Sequence, residues 1–335
     1  MRKHLLVINF SMDASHSALS HQQEVVAKLS EHFQQVTVIT GEPPTAPIPI
    51  NVEVQTIKWR VGSPVRNGAR LAFKFFRILI INRPSVVFSH MVPIHAAVTS
   101  PISRLFKVRH VLWYAHAVTP LSLRFANLFV DQILTSTPGS CNLTSRKVVP
   151  IGQGVDSKLF QFRDRSFGSL VNLVYVGRTD ASKNIPEIID AVTSAKLIFP
   201  KLQLAIIGGG PPLSENLNLP WVRVRGRAAR SELPLVYGNA DVFIHAFRGS
   251  LDKVLVEAAL SGLPVITEND EFQKIFRIFG IRSAPISDQL VNLLSSDESV
   301  ISEIVESNYQ TALTKHELAG WITKIVVSLA PETSE

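Results

Sequence analysis

The feature that most constrains this chain is the alternation of short apolar runs with longer amphipathic stretches along its whole length. The runs at 4–10, 36–40, 173–177 and 202–208 have strand character, and helix-like segments lie between them. This alternation predicts an α/β fold with parallel sheets joined by crossover helices. A polar, glycine-containing segment at 150–162 separates two such series, so we predict two doubly wound domains in the 335 residues.

The first domain is expected at 1–150 and the second at 151–314, followed by a C-terminal helix and tail at 315–335. The chain is 46% hydrophobic, which excludes a mainly disordered protein. Its one cysteine, Cys141, excludes an intrachain disulfide framework and a cysteine-rich zinc site. No run approaches the ~20 apolar residues of a membrane-spanning helix. The N-terminus is more typical of a first strand than of a signal peptide, so we expect a cytoplasmic protein.

The net charge is +7, and one region supplies the whole basic excess. Between Lys58 and Arg124 there are 11 Lys or Arg residues and no Asp or Glu, whereas the rest of the chain has 23 basic and 27 acidic residues. Such a patch predicts an anionic partner: lipid headgroups, nucleic acid or a phosphorylated substrate. A basic surface that merely faces water is the alternative. No nucleic-acid-binding motif accompanies the charge, which disfavours nucleic acid.

Within this region, residues 65–81 have the pattern of an amphipathic helix. At ~100° per residue, four cations fall on a stripe about 80° wide: Arg66, Arg70, Lys74 and Arg77. Phe73 and Ile80 flank this stripe. The opposite side is apolar: Leu71, Phe75, Phe76, Ile78 and Leu79. We predict that the helix docks on an anionic membrane surface; the alternative is that its apolar side packs on the sheet and the cations face water.

A pair of cations follows a strand in the segment YVGRTDASKN (175–184). Gly177 permits a tight exit from the strand, and Arg178 and Lys183 stand beside the N-terminus of the next helix. Ligands of open parallel sheets bind at the carboxyl ends of strands, and helix N-termini favour anions. The arrangement suits a diphosphate, although two solvated cations would give the same pattern.

The next strand ends in IIGGGPP (206–212), where Gly208–Gly210 allow a ligand to approach the backbone closely. The glycine spacing is not that of a dinucleotide-binding fingerprint. In the segment 245–267, Ser250 is a candidate N-cap, and Glu257 lies about two turns into an otherwise apolar helix. A carboxylate in such surroundings needs a partner, which is either a ribose diol or a structural group.

Two places in the first half also carry polar groups after strands. His116 follows a buried strand in LWYAHA (112–117), where a structural histidine is the more common case. Ser11 and Ser20 precede or begin the first helix, and with its amide groups they suit a phosphate or a sugar. A polar loop that only caps a helix has the same appearance.

Three segments in this order resemble the retaining glycosyltransferases of family 4, which have the GT-B fold of two Rossmann-like domains facing a cleft. They are VVPIGQGVDSKLF (148–160), LVYVGRTDASKNIPEIIDAV (173–192) and ELPLVYGNADVFIHAF…VLVEAALSGLPVI. The resemblance implies transfer of a sugar from a nucleotide-diphosphate sugar, held mainly by the second domain, to a glycan or lipid-linked acceptor that enters through the first.

The resemblance also implies roles for individual residues. Arg178 and Lys183 would hold the diphosphate, and His116 would lie near the sugar. Glu257 would bind the ribose, and Gly177, Gly209 and Gly210 would line the nucleotide site. The loop facing the sugar and phosphates would comprise Gly249, Ser250, Leu251, Asp252 and Lys253, and the acceptor-side loop would include Ser11, Ser20 and His21.

Some positions depart from the family pattern. Gly249 stands where the first glutamate of a Glu-x7-Glu pair is usual, and Asn184 stands where glycine is usual. The chain has no Asp-x-Asp motif, so we predict chemistry without a metal or other cofactor, with Arg178 and Lys183 supplying the electrostatic stabilisation. The alternatives are a non-catalytic protein that binds a sugar nucleotide or a partner, favoured by Gly249, and a nucleotide-sugar epimerase.

Overall fold

The computed structural model describes residues 2–14, 16, 19, 21–60, 62–166, 168, 170–211 and 219–329. The chain divides into two compact units, one of residues up to 152 together with the segment from 319 onward, and one of residues 153–318. The first boundary lies two residues beyond the expected one. The segment expected as a separate C-terminal helix and tail instead belongs largely to the first unit.

The first unit contains a sheet of seven parallel strands in the order β3-β2-β1-β4-β5-β6-β7. The strands are β1 (Arg2–Ile8), β2 (Phe33–Thr40), β3 (Val52–Thr56), β4 (Val86–His90), β5 (Arg109–Trp113), β6 (Gln132–Thr135) and β7 (Val148–Pro150). Its helices are α1 (His21–Ser30), α2 (Pro64–Ile81), α3 (Pro93–Leu105) and α4 (Leu121–Phe129). Because the strand order reverses at β1, with the crossovers expected on both faces, this is the predicted doubly wound arrangement.

Helix α2 confirms the predicted amphipathic helix, with one correction. Four residues of the predicted apolar side are buried: Leu71, Phe75, Ile78 and Leu79. Phe76, predicted on the same apolar side, is 41% exposed and packs edge-on against Phe106 at 5.6 Å between ring centroids. A projection at ~100° per residue assumes that one side of the helix is buried throughout. In the structure α3 packs beside α2 and leaves Phe76 at the margin of that contact.

The last helix, α11 (Leu318–Leu329), packs on the first unit. The Trp321 ring lies perpendicular to the Trp113 ring at 4.9 Å and is 2% exposed. Arg109 Nε donates to the Ser328 carbonyl at 2.8 Å, and Lys324 Nζ donates to the Ile151 carbonyl at 3.2 Å. The sequence pattern predicted this helix but not its docking site.

The second unit contains a sheet of five parallel strands in the order β10-β9-β8-β11-β12. The strands are β8 (Val171–Val176), β9 (Leu202–Ile207), β10 (Val222–Arg225), β11 (Val242–His245) and β12 (Val265–Thr267). The helices are α5 (Ile185–Lys196), α6 (Leu233–Gly238), α7 (Lys253–Leu260), α8 (Asp270–Ile275), α9 (Ile286–Leu294) and α10 (Glu298–His316). The predicted α/β class with two Rossmann-like sheets is therefore confirmed. Across the described ranges, none of the helices has the length and apolarity needed to cross a bilayer.

Candidate functional site

Three loops of the second unit leave the carboxyl ends of neighbouring strands. They follow β8 at 177–184, β9 at 208–211 and β11 at 246–252. Because β9, β8 and β11 are adjacent and parallel, the loops meet at one edge of the sheet. The three segments singled out in the sequence are thus brought together by the strand order.

The glycines of the first two loops serve the contact between these loops. An ideal Cβ on Gly208 would lie 1.6 Å from the Gly177 carbonyl oxygen, so only glycine fits there. Gly210 has φ +151°, and a Cβ on it would meet Thr179 Oγ1 at 2.6 Å. Gly208 and Gly210 therefore have a structural reason for being glycine, whereas the lining of a nucleotide by Gly209 and Gly210 stays a prediction.

Lys183 lies at the centre of the site and is only 7% exposed. Its Nζ is 2.5 Å from Asp252 Oδ2 and 3.9 Å from the centroid of the Phe247 ring. The same carboxylate oxygen accepts a hydrogen bond from His245 Nε2 at 3.1 Å. Asp252 thus joins the loop after β8 to the loop after β11, a pairing that the sequence analysis did not predict.

The protonation of this cluster follows from its surroundings. Burial opposes ionisation of Asp252, but the hydrogen bond from His245 and the charge of Lys183 outweigh it and lower the pKa of Asp252 to about 2. Burial lowers the pKa of His245 more than Asp252 raises it, so the ring is neutral at pH 7. With Nε2–H donated to the carboxylate, Nδ1 accepts from the Thr267 hydroxyl at 3.1 Å.

Arg178, the other predicted cation, is in a different situation. Its side chain is 57% exposed and its Nη1 lies 3.2 Å from Asp180 Oδ2. Asp180 also caps the turn before α5 by accepting the Ser182 N–H at 3.1 Å. The structure therefore supplies one buried cation, fixed by Asp252, and one exposed cation, paired with Asp180.

The backbone at Asn184 explains why asparagine can stand where the glycosyltransferases that this sequence resembles usually have glycine. Asn184 has φ +52° and ψ +41°, the left-handed conformation that glycine adopts freely and that asparagine tolerates better than other residues. Its side-chain amide donates to the Glu187 carboxylate one turn later. The turn into α5 is therefore kept without glycine.

A single side chain fixes the loop after β11. Asn269 Nδ2 donates to the carbonyls of Phe247, Gly249 and Ser250 at 3.0, 3.2 and 3.1 Å, and its Oδ1 accepts the Phe272 N–H at 2.9 Å. No sequence signal singled out this residue, because an asparagine after a strand is typical of any helix N-cap. Ser250 was predicted as a candidate N-cap of α7, whereas the N-cap position is Asp252.

Gly249 and Phe247 are sterically linked. A Cβ on Gly249 would lie 2.1 Å from the tip of the Phe247 ring, so any side chain at position 249 requires that ring to move. The next residues of this loop are hydrogen-bonded to the segment 153–154. The Leu251 carbonyl accepts from Gln153 Nε2 at 2.9 Å, and Lys253 Nζ donates to the Gly154 carbonyl at 3.2 Å. An aromatic ring thus occupies the space beside the position where the glycosyltransferases that this sequence resembles usually have glutamate.

Glu257 is 3% exposed, and its partners include the side chains of Tyr237 and Arg230. The Tyr237 hydroxyl donates to its Oε2 at 3.0 Å, and Arg230 Nη1 lies 3.9 Å from its Oε1. Burial, and then the charge of Glu257, raise the pKa of Tyr237 well above its ordinary value, so this hydroxyl keeps its proton. The burial of Glu257 is therefore explained without a ligand, and its contact with a ribose stays a prediction.

The residues predicted in the first unit lie after β1 and β5. The ring of His116 is exposed, and its Nδ1 accepts the Val118 N–H at 3.1 Å. Ser11 is fully buried, and its hydroxyl accepts the Asp13 N–H at 3.0 Å. His21 begins α1 with its ring 5.6 Å from that of His90. Ser20 lies outside the described residues.

Among the residues that the structure describes, no group of three or more His, Cys, Asp or Glu side chains is placed to hold a metal ion. The loop after β8 brings the cations Arg178 and Lys183 to the sheet edge, together with the carboxylate of Asp180.

Residues 171–277 match the family model described as Glycosyl transferases group 1. The chain has the GT-B glycosyltransferase fold. No curated protein sequence matches the chain significantly. The matched segment begins at β8 and ends just after α8, so it contains all three loops of the site.

Three solved structures illustrate the fold. Anabaena HepE in complex with UDP and glucose is 15% identical, with 98% of this chain and 99% of that chain covered and a TM-score of 0.73. Sucrose-phosphate synthase from Thermosynechococcus elongatus is 14% identical, with 97% of each chain covered and a TM-score of 0.78. WaaG, a glycosyltransferase involved in lipopolysaccharide biosynthesis, is 13% identical, with 98% and 100% covered and a TM-score of 0.69.

Proposed function

We propose that this protein transfers a sugar from a nucleotide-diphosphate sugar to a glycan or lipid-linked acceptor, with retention of the anomeric configuration and without a metal ion. The observation that carries the proposal is the buried Lys183, fixed by Asp252 at the carboxyl edge of the sheet inside the segment that matches the glycosyl transferase family. HepE, a structural relative, is seen with UDP and glucose, which supports the donor class.

In the proposed reaction, the bond between the sugar anomeric carbon and the diphosphate oxygen breaks, and the acceptor oxygen attacks from the same face. The acceptor proton passes to the departing phosphate oxygen, so no protein base is required. Negative charge grows on the diphosphate as it leaves, and a preorganised cation there lowers the barrier. Lys183 provides that cation in a desolvated position, and Arg178, which is exposed and paired with Asp180, would exchange that partner for the phosphates.

Asp252 has a positioning role in this proposal. Its Oδ2 holds one hydrogen of the Lys183 ammonium, which leaves the other two for phosphate oxygens. The carboxylate also offsets part of the lysine charge before the donor arrives. The developing charge of the leaving group would then draw Lys183 more strongly than the ground-state donor does, which is the differential binding that catalysis requires.

A non-catalytic sugar-nucleotide-binding protein is the second candidate, favoured by Gly249 and Phe247 at the place where the family usually has a glutamate. An epimerase is the third. Incubation with UDP-, GDP- and ADP-sugars distinguishes them, with products analysed by NMR. Acceptor-dependent transfer with retained configuration that survives EDTA supports our proposal. Binding without turnover supports the second candidate, and interconversion of the donor without acceptor supports the third.

We also propose that the first unit docks on an anionic membrane surface from the cytoplasmic side. Arg66 and Arg77 on α2 are exposed, as are the apolar rings and chains of Phe73 (66%) and Ile80 (49%). A second helix adds to this surface. On α4, which contacts α3 as α2 does, an apolar stripe is exposed: Leu121, Phe125 and Leu128. Cations mixed with exposed apolar side chains are the composition of interfacial helices.

A further inference from the structure

A concave site in the first unit is left unused by the proposed sugar transfer. A groove of about 600 Å³ runs between α2 and the segment 55–60 that follows and includes the end of β3. Five cations line this groove, and none of the lining residues that the structure describes is an aspartate or a glutamate. They are Lys58, Arg60, Arg70, Lys74 and Arg77. We name it the α2 groove.

Two of these cations are held in place by the opposite wall. Lys74 Nζ donates to the Thr56 carbonyl at 3.0 Å, and Arg70 Nη1 donates to the Lys58 carbonyl at 3.3 Å. Neutral carbonyls thus fix their positions without neutralising their charge. None of the five cations has an aspartate or glutamate partner in an ion pair among the described residues.

Repulsion between the cations adds to this picture. Burial, and then the nearby Arg66 and Arg60, lower the pKa of Arg70. Burial also lowers the pKa of Lys74; Glu53 opposes this shift, and Arg77 adds to it. Like charges held together in a groove are stabilised by an anion that contacts several of them at once.

The walls of the groove indicate the kind of anion. Phe73 and Ile81 line it and are each 66% exposed, so the charged floor is bordered by unpartnered apolar surface. We propose that the α2 groove binds the phosphoryl group of an anionic lipid headgroup, with Phe73 and Ile81 contacting the start of the acyl region. This deepens the proposed membrane docking, on which it rests, and is independent of sugar transfer.

The test compares two double variants of equal charge. Lys58→Gln with Arg60→Gln alters the groove and leaves the four cations of the α2 stripe in place. Lys107→Gln with Arg124→Gln removes one lysine and one arginine from the same basic region outside the groove, where both are exposed. Circular dichroism and melting temperature show whether each is folded. Co-sedimentation is measured with vesicles of phosphatidylcholine alone and with added phosphatidylglycerol, and binding of soluble glycerol phosphate is measured by calorimetry.

If the groove binds phosphoryl groups, its variant should lose about tenfold more vesicle affinity than the control, because hydrogen bonds to a charged group are stronger than the general attraction of a cation to an anionic surface. Equal losses of vesicle affinity in the two variants would contradict phosphoryl binding in the groove and would support a diffuse electrostatic docking instead. Glycerol phosphate binding that only the groove variant loses, without any vesicle binding, assigns the site to a free phosphate ester and overturns the lipid source. Absence of both kinds of binding overturns the whole proposal. Sugar transfer to a soluble acceptor, measured in parallel, should be unchanged in both variants.

Discussion

The Lys183 ammonium lies 2.5 Å from Asp252 Oδ2, and this ion pair links the loop after β8 to the loop after β11. The carboxylate is itself oriented by His245, which is 1% exposed and neutral. A lysine held this way has little rotamer freedom left to lose when a diphosphate binds. The pair therefore makes Lys183 a preorganised group.

We predict that Lys183→Ala reduces kcat/KM for sugar transfer roughly 30-fold to several thousand-fold, because loss of a cation facing a desolvated phosphate costs about 2–5 kcal/mol. Lys201→Ala, which removes an exposed lysine of the same unit, is the matched control and should be near wild type. Asp252→Asn should lower kcat without raising the KM for the donor, since the cation remains but its position is no longer fixed. A folded Lys183→Ala protein with full activity contradicts the assignment.

Glu257 and Tyr237 allow a ligand role to be separated from a structural one. Glu257→Gln should weaken nucleotide binding by about 1.5–3 kcal/mol if the carboxylate accepts ribose hydroxyls. Tyr237→Phe removes the structural hydrogen bond of 3.0 Å but keeps the carboxylate, so nucleotide affinity should hold while the melting temperature falls. Calorimetric titration with UDP, GDP and ADP measures the affinities. Equal affinity of Glu257→Gln and wild type would make Glu257 a structural residue.

Gly249 and Phe247 should be coupled in stability. Gly249→Ala forces the Phe247 ring away from the Lys183 ammonium, with an expected loss of about 1 kcal/mol in unfolding free energy, in the range of overpacking effects. In a Phe247→Ala background the same substitution should cost nearly nothing. A double-mutant cycle from urea unfolding gives the coupling. If Gly249→Ala costs the same with and without the Phe247 ring, the two residues are not coupled and the ring is not the source of the cost.

These residues show what the sequence could and could not predict. The pattern of apolar residues predicted the two parallel sheets. Because Arg178 and Lys183 follow a predicted strand, they were expected at the edge of a sheet, where the structure has them. The pairing of Lys183 with Asp252 spans 69 residues, and no local pattern encodes such a contact. The contact of Trp321 with Trp113 could not be predicted either, because the apolar pattern of a helix does not show which surface that helix packs against.

The glycines illustrate a different limit of sequence reasoning. A glycine after a strand indicates close approach of something to the backbone, but not what approaches. At Gly208 the neighbour is the Gly177 carbonyl, a second loop of the same site. The clamp formed by Asn269 was missed for a related reason, since one side chain satisfies three carbonyls that only the folded loop brings together.

His110 should make the first unit sensitive to acid. The ring is fully buried between the Ser89 and Ser103 hydroxyls, at 2.8 and 3.0 Å, and burial lowers its pKa to about 3. Between pH 6.5 and about 3 only the unfolded chain binds this proton, so stability is complete above pH 6.5 and falls by about 1.4 kcal/mol per pH unit below it. When the free energy of unfolding is measured with urea from pH 7 to 4, it should fall less steeply with decreasing pH for His110→Gln than for the wild type. If that variant does not fold, NMR of the wild-type ring should show it neutral at pH 5, and a ring charged at that pH contradicts the prediction.

The proposed membrane docking through α2 predicts a loss of vesicle binding when the stripe of cations on this helix is removed. Four cations at about 1 kcal/mol each support reversible binding that weakens with salt. The variant changes Arg66, Arg70, Lys74 and Arg77 to glutamine, and the control makes the same change at four exposed cations outside the helix: Arg146, Lys201, Arg223 and Arg282. Co-sedimentation with anionic vesicles at low salt should fall sharply for the first protein, and less for the second because its cations do not share a surface with exposed Phe73 and Ile80. Equal partitioning of the α2 variant and wild type would rule out this helix as the docking surface.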